Sequence, residues 1–298
     1  MNAIDQNIWL DEALGHVFRA IASNENLRKA LVFKGARILA IHLGNDRKSL
    51  DLDSNLSSIE SINISTKEDV PIFLRENIGR ALERYFESQN PVRFSANNIK
   101  VQPSPAKEHP RGWGGYDVFI SLLDGQYQAV RGLPHLSVEV AAEETVGKDA
   151  VVELPLDEGI HARCHALHRI AAEKLRAFLQ SLPRYCNKLT RPARAQRVKD
   201  LYDLARILRA RPIDERGFWD AVVSEFKLAC ETRLVDCNGI DTFKEEWGQT
   251  KEQYEKDISL KQISFGEAED TLVQIITYFS QLGIFPLTFP LPPLSKTE

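Results

Sequence analysis

Three acidic side chains set the chemistry this sequence could perform. If Lys48-Ser-Leu-Asp-Leu-Asp53 is a strand, side chains alternate, so Ser49, Asp51 and Asp53 point one way and Leu50 and Leu52 the other. Carboxylates brought that close repel unless a divalent cation lies between them. An all-oxygen set suits Mg²⁺ (or Mn²⁺) bridged to substrate phosphates. A solvated edge strand would show the same Asp-x-Asp, so the pair needs company. Glu139 supplies it: an acid among the β-formers Leu136-Ser-Val-Glu-Val140 either faces water or has a partner such as a metal. A third carboxylate beside an Asp pair is what two-metal phosphoryl transfer uses, one acid helping to deprotonate the attacking hydroxyl. Glu143 and Glu144, just beyond that strand, stay open as alternatives.

Elements must bring these groups together. Leu31-Val-Phe33 reads as a buried strand, Lys34-Gly35 as a turn, Ala36 to Leu43 as a helix stopped by Gly44, and Lys48 to Asp53 as a second strand. The turn therefore opens a helix whose first N–H groups lack partners and whose dipole favours anions, and glycine lets a phosphate approach closely. Before this unit, Leu14, Val17, Phe18, Ile21 and Ala22 have the spacing of an amphipathic helix over Asp11 to Leu31. After it, a helix is expected over Val70 to Ser88, with Pro71 tolerated in its first turn. Strands are expected at Asn98 to Gln102, Tyr116 to Leu122 and Leu136 to Val140, the first two joined by a Pro- and Gly-rich loop.

Past Glu153 long helical periods take over, expected at Ile160 to Leu179, Arg197 to Arg209, Gly217 to Arg233 and Glu267 to Leu282, with a proline-rich extended strap at Ile284 to Leu294. The boundary is placed near residue 155. This gives an α+β chain: residues 1–155 form a catalytic domain built on a mixed sheet with flanking helices, and 156–298 a helical domain completing the active-site cleft.

Composition removes other classes. At 298 residues, 43% hydrophobic and 27% charged, the chain is neither disordered nor fibrous, and a net charge of -4 excludes a protein that coats nucleic acid by bulk charge. No apolar run reaches the roughly 18 residues a membrane span needs, and the start lacks a signal peptide, so a cytoplasmic location is expected. Cysteines 164, 186, 230 and 237 show no metal or redox spacing and are expected to pack as thiols.

Four motifs in order carry a resemblance: Leu31-Val-Phe-Lys-Gly35, Arg47-Lys-Ser-Leu-Asp-Leu-Asp53, Ile170-Ala-Ala-Glu-Lys-Leu-Arg-Ala177 and Arg197-Val-Lys-Asp-Leu-Tyr-Asp-Leu204. Their succession resembles the AbiEii/AbiGii nucleotidyltransferase toxins, within the superfamily of DNA polymerase beta. The resemblance implies transfer of a nucleotide from a nucleoside triphosphate with Mg²⁺ (or Mn²⁺), as the toxin of a toxin–antitoxin or phage-defence pair with an antitoxin encoded nearby. In some members the acceptor is the 3′ end of tRNA. By position it implies that Asp51 and Asp53, with Glu139, hold metal. Lys174 would contact the triphosphate, Asp203 or Asp200 would complete the site, and Ser49 and Gly35 would line the nucleotide. The family's turn usually reads Gly-Gly or Gly-Ser; here Ala36 and Arg37 follow Gly35. Nucleotide affinity should then rest on backbone amides, Lys34 and Arg37.

The late motifs also have a reading of their own. Ile160, Leu167, Ala171, Leu175 and Phe178 form an apolar stripe with Lys174 beside it, and Leu201, Leu204, Ala205 and Leu208 form another bordered by Lys199, Asp200 and Asp203. Taken singly, Glu173–Lys174 and Lys199–Asp203 also fit surface ion pairs.

From Arg184 to Arg216 there are ten Lys or Arg against four acids, a local positive stretch in an acidic chain. Arg191, Arg194 and Arg197 within it are candidate RNA contacts. Two rival readings remain: a nucleotidyltransferase acting on a small-molecule or protein hydroxyl, and a lapsed module that only binds nucleotide. The retained acids speak against the second.

Overall fold

The computed structural model describes residues 3–44, 49–59, 64–106, 111, 113–124, 135–190, 192 and 195–291, with side chains from residue 6 onward. Two compact units emerge, Met1–Glu144 with Val151–His165, and Thr145–Ala150 with Ala166–Glu298.

The first unit begins with α1 (Ala3–Ser23) and α2 (Glu25–Ala30). The expected single helix breaks because the Asn24 side chain caps a new one, accepting the Leu27 N–H at 3.1 Å. Strand β1 (Leu31–Lys34), helix α3 (Gly35–Leu43) and strand β2 (Asp51–Leu56) follow, Gly44 closing α3 in the left-handed conformation. Next come α4 (Val70–Glu87), β3 (Phe94–Ser104), β4 (Gly115–Asp124), β5 (Leu136–Ala141), β6 (Val151–Asp157) and β7 (Ile160–His165).

The seven strands lie in the order β3-β4-β5-β2-β1-β7-β6. The sheet is mixed: β2 runs parallel to β5 and antiparallel to β1, and β1 runs parallel to β7. One face is buried. Leu52, Val118, Ile120, Val138 and Val140 are at most 1% exposed, as are Leu14, Val17 and Ile21 of α1 and Leu74, Ile78 and Leu82 of α4. Burying a side chain of this size contributes about 1.5–3 kcal/mol. The other face keeps the polar members of each alternation.

Other expected elements differ as well. Residues 160–165 form a strand, not the start of a helix. Ile160, Ala162 and Cys164 alternate with His161, Arg163 and His165 at strand period, and Gly159 at φ +72° turns the chain between β6 and β7. The apolar stripe of the next helix therefore starts at Leu167, without Ile160. Strand β2 starts at Asp51, past the expected Ser49 and Leu50, while Lys48, the expected first residue, lies outside the described residues.

The second unit is helical: α5 (Leu167–Gln180), α6 (Pro183–Lys188), α7 (Val198–Ala210), α8 (Arg216–Arg233), α9 (Ile240–Lys244), α10 (Trp247–Lys256) and α11 (Phe265–Gln281). Helix α5 packs on α7 and α8, and α7 on α11. Its core includes Phe178, Trp219, Phe226 and Phe279, none exposed. Beyond α11, among the described residues up to Leu291, no further helix forms. Leu287 bridges to Cys237, and Lys188 Nζ donates to Leu234 O at 2.8 Å, Asp236 Oδ1 at 2.8 Å and Phe289 O at 2.6 Å. All four cysteines are buried free thiols; burial pushes Cys164 and Cys237 up to about 12. Among the described residues no helix is long and apolar enough to cross a membrane.

Candidate active site

Strand register assembles the acidic centre. Asp53 lies opposite Lys34 on β1 and opposite Glu139 on β5, and Glu139 lies opposite Asp117 on β4. Asp51, two residues back on the same face, lies opposite Ser137. Carboxylate oxygens of Asp51, Asp53 and Glu139 all come within 4.8 Å of one another, the sole such cluster of potential metal-binding side chains among the described residues. Two side chains pin this register. Ser54 Oγ donates to Glu139 O at 3.1 Å and Asn55 Nδ2 to Ala142 O at 2.8 Å. Glu139, not Glu143 or Glu144, is thus the acid brought to the Asp pair. Glu144 Oε2 instead lies 3.9 Å from Lys34 Nζ.

The turn at Gly35 is shaped by this cluster. Its φ of +80° disfavours any other residue, and a Cβ there would sit 2.0 Å from Asp53 Oδ2. Only a glycine permits the carboxylate and the start of α3 to come so close. The helix has no side-chain cap at Lys34, so its first N–H groups remain suited to an anion.

Ser49 donates its hydroxyl to Asp51 and is buried. Arg37 Nη2 donates to Asp11 Oδ1 and to Ser49 O, each at 2.8 Å. The guanidinium thereby ties α1, α3 and the approach to β2 together. Its place in the structure is a brace for the Ser49–Asp51 segment.

Glu139 holds its proton above the usual carboxylate range. Loss of water around the carboxyl is the first cause, then the charges of Asp53, Asp51 and Asp117, with Lys34 opposing. The residue stays exposed overall, so crowding by like charge is physically the firmer of these causes. Crowded oxygens of one sign, beside a helix start, are the donor set that a hard divalent cation fits.

Lys174, Asp200 and Asp203 form a second cluster, in the helical unit. Lys174 Nζ lies 2.8 Å from Asp200 Oδ1 and 2.8 Å from Asp203 Oδ2. The three are 9%, 1% and 0% exposed, so neither acid borders solvent and Lys174 is no surface residue. Burial alone would raise Asp200; Lys174 and Arg197, whose Nε donates at 2.5 Å, outweigh it and hold the carboxyl below its usual value. Arg206 Nη1 lies 4.0 Å from Asp203 Oδ1. The surface pairing of Lys199 with Asp203 does not form; Lys199 reaches Asp257 at 3.5 Å.

Of the candidate RNA contacts, Arg191 and Arg194 lie outside the described residues, while Arg197 is exposed along most of its side chain. Other bases of the stretch are engaged, Arg184 with Glu245, Arg209 with Glu267 and Arg211 with Glu215. Sequence reasoning passed over Asp117, although the alternation of Tyr116-Asp-Val-Phe-Ile120 puts it on the acidic face. It also missed Arg169, fully buried between Glu225 at 3.0 Å and Glu173 at 2.5 Å; nothing in its spacing marks a buried charge.

An acidic row on neighbouring strands, set against a glycine-opened helix, is the equipment of enzymes that move phosphoryl-linked groups. Within that class the assignment is specific: the family model described as "Nucleotidyl transferase AbiEii toxin, Type IV TA system" matches residues 16–274, most of the chain. The chain belongs to this family, whose members are nucleotidyltransferases and the toxins of type IV toxin–antitoxin systems. A nucleotide substrate and an antitoxin partner come with that membership. No curated protein matches the chain.

Proposed function

We propose that this chain transfers a nucleoside monophosphate from a nucleoside triphosphate to a hydroxyl of RNA, the tRNA 3′ end first among acceptors, and so acts as a toxin in the cytoplasm. The observation that carries the reading is the convergence of Asp51, Asp53 and Glu139 within 4.8 Å beside Gly35. These three acids would hold Mg²⁺ or Mn²⁺, which when bound supplies charge neutralisation for phosphates and for a developing alkoxide.

The chain's own groups do the rest. The N–H groups opening α3 and the Lys34 ammonium receive phosphate oxygens. Ser49 orients Asp51 through its hydroxyl, and Arg37 holds Ser49. A carboxylate of the cluster accepts the proton of the attacking hydroxyl. That hydroxyl's oxygen forms the new bond to the α-phosphorus as the bond to pyrophosphate breaks. In the helical unit Lys174, paired with Asp200 and Asp203, is the group assigned to the triphosphate.

The test is incubation of purified protein with each labelled triphosphate, Mg²⁺ or Mn²⁺ and total RNA. Labelled tRNA is expected from the wild type and none from Asp51→Ala. Incorporation by Asp51→Ala would remove the assignment, and label on a small molecule or protein would replace RNA by that acceptor.

A further inference from the structure

The acidic face of the sheet continues beyond the carboxylates. Register puts Gln102, Asp117, Glu139, Asp53 and Lys34 in one cross-strand row, and Lys100, Phe119, Ser137 and Asp51 in the next. Beside the second row Ser121 Oγ lies 2.7 Å from His135 Nδ1. The opposite face is core, with Val118, Ile120, Leu136 and Val138 at most 1% exposed. Here Lys100 and His135 are exposed, and Phe119, Ser121 and Ser137 are half-buried.

A phenylalanine thus stands among polar side chains, on the face where the hydrophobic core has no use for it. His135, steadied by Ser121, meets its ring at 6.5 Å between centroids and 67° between planes. Phe119 is two strands from Asp51 in the same row, about 10 Å at the usual spacing between strands. That backbone separation lets the two side chains flank one nucleotide, its 3′ oxygen toward the acids and its base toward the ring. An aromatic ring on a polar sheet face is a way single-stranded RNA bases are received by stacking, without regard to which base it is. Lys100, opposite Phe119 on β3, offers a charge for a phosphate on the same strand of RNA.

We infer that Phe119 is the stacking platform for the terminal base of the RNA acceptor, with Lys100 taking the phosphate on that nucleotide's 5′ side. The inference rests on the RNA-acceptor reading above and adds which surface holds the acceptor. It concerns the acceptor alone: triphosphate binding does not involve this ring.

Its test uses the full chain, a short single-stranded RNA, and Phe119→Leu, Phe119→Trp and Lys100→Gln. Phe119→Leu keeps an apolar side chain but loses the ring. It should raise the KM for RNA about 5- to 150-fold, with the KM for triphosphate and the unfolding temperature unchanged. Phe119→Trp should retain the wild-type KM and gain, relative to wild type, an indole fluorescence signal quenched by RNA without triphosphate. Lys100→Gln should lower the slope of log affinity against log salt by about 0.7. A wild-type KM for RNA in Phe119→Leu, or no added quenching in Phe119→Trp, overturns the platform. If the wild type transfers nothing to RNA, the acceptor reading fails by itself, and the quenching measurement still decides whether this ring receives a base.

Discussion

Replacing Gly35 by alanine separates two demands that the structure makes on one residue. At φ +80° a side chain costs about 1–2 kcal/mol through backbone strain alone. The new Cβ would also lie 2.0 Å from Asp53 Oδ2 and 2.9 Å from its Cγ, so the carboxylate must swing aside. Turning it away from its preferred rotamer adds about 0.5–1.5 kcal/mol, for a loss of stability near 1.5–3.5 kcal/mol in total. Gly44 provides the control, since it too has positive φ, at +60°, but nothing stands within 4 Å of its Cβ position. Gly44→Ala should therefore show the strain cost without the displacement. Urea unfolding in EDTA reads stability, and calorimetric titration with Mn²⁺ reads the site. Gly35→Ala should bind Mn²⁺ at least about 10-fold more weakly, on the scale by which disturbed ligand support lowers metal affinity. Gly44→Ala should bind as the wild type does. Equal Mn²⁺ affinity in wild type and Gly35→Ala would refute the coupling of turn and carboxylate, and so would equal weakening by both substitutions.

Lys174→Met should cost about 3–5 kcal/mol by urea unfolding, because Asp200 and Asp203 would stay buried without their shared cation; a loss below 1 kcal/mol would contradict the pairing. Asp200 has its folded-state proton affinity lowered, so its contribution to stability is complete above the unfolded carboxylate value of about 3.9 and fades as pH falls through the lower folded value. The stability gap between wild type and Asp200→Asn should accordingly be flat from neutral pH to about pH 5 and narrow below about pH 4. Adding Mn²⁺ at 100 times its dissociation constant should stabilise the wild type by about 2.7 kcal/mol over EDTA, read as a raised melting temperature. The double variant Asp51→Asn, Asp53→Asn should show no such rise.

Where local chemistry decided the outcome, the chain could be read directly. Gly35 and Gly44 punctuate the β1-α3-β2 unit, and the alternation around Asp51 and Asp53 fixes which way they point. Glu139 was legible as a charge among β-formers, and pairing with Asp53 gives it its meaning. Long-range partners were not legible. Arg37 reads as a candidate phosphate ligand, and nothing near it in sequence announces its ion pair with Asp11, 26 positions earlier. Asp200 and Asp203 read as acids bordering an apolar stripe, and their burial was not legible because the lysine that permits it belongs to another helix, 26 positions before Asp200. The β6–β7 hairpin was overlooked since Ile160 also fits the helical period of the residues that follow it. Its strand alternation and Gly159 were the competing signal.

Strand period has one last consequence. Asp51 and Asp53 share β2 with Leu52 and Ser54, and the pairing of β2 with β5 sets which pair faces outward. Slipping that pairing by a single position would thrust both acids into the hydrophobic interior and turn leucine outward. Such a chain would lose its fold and its acidic centre together.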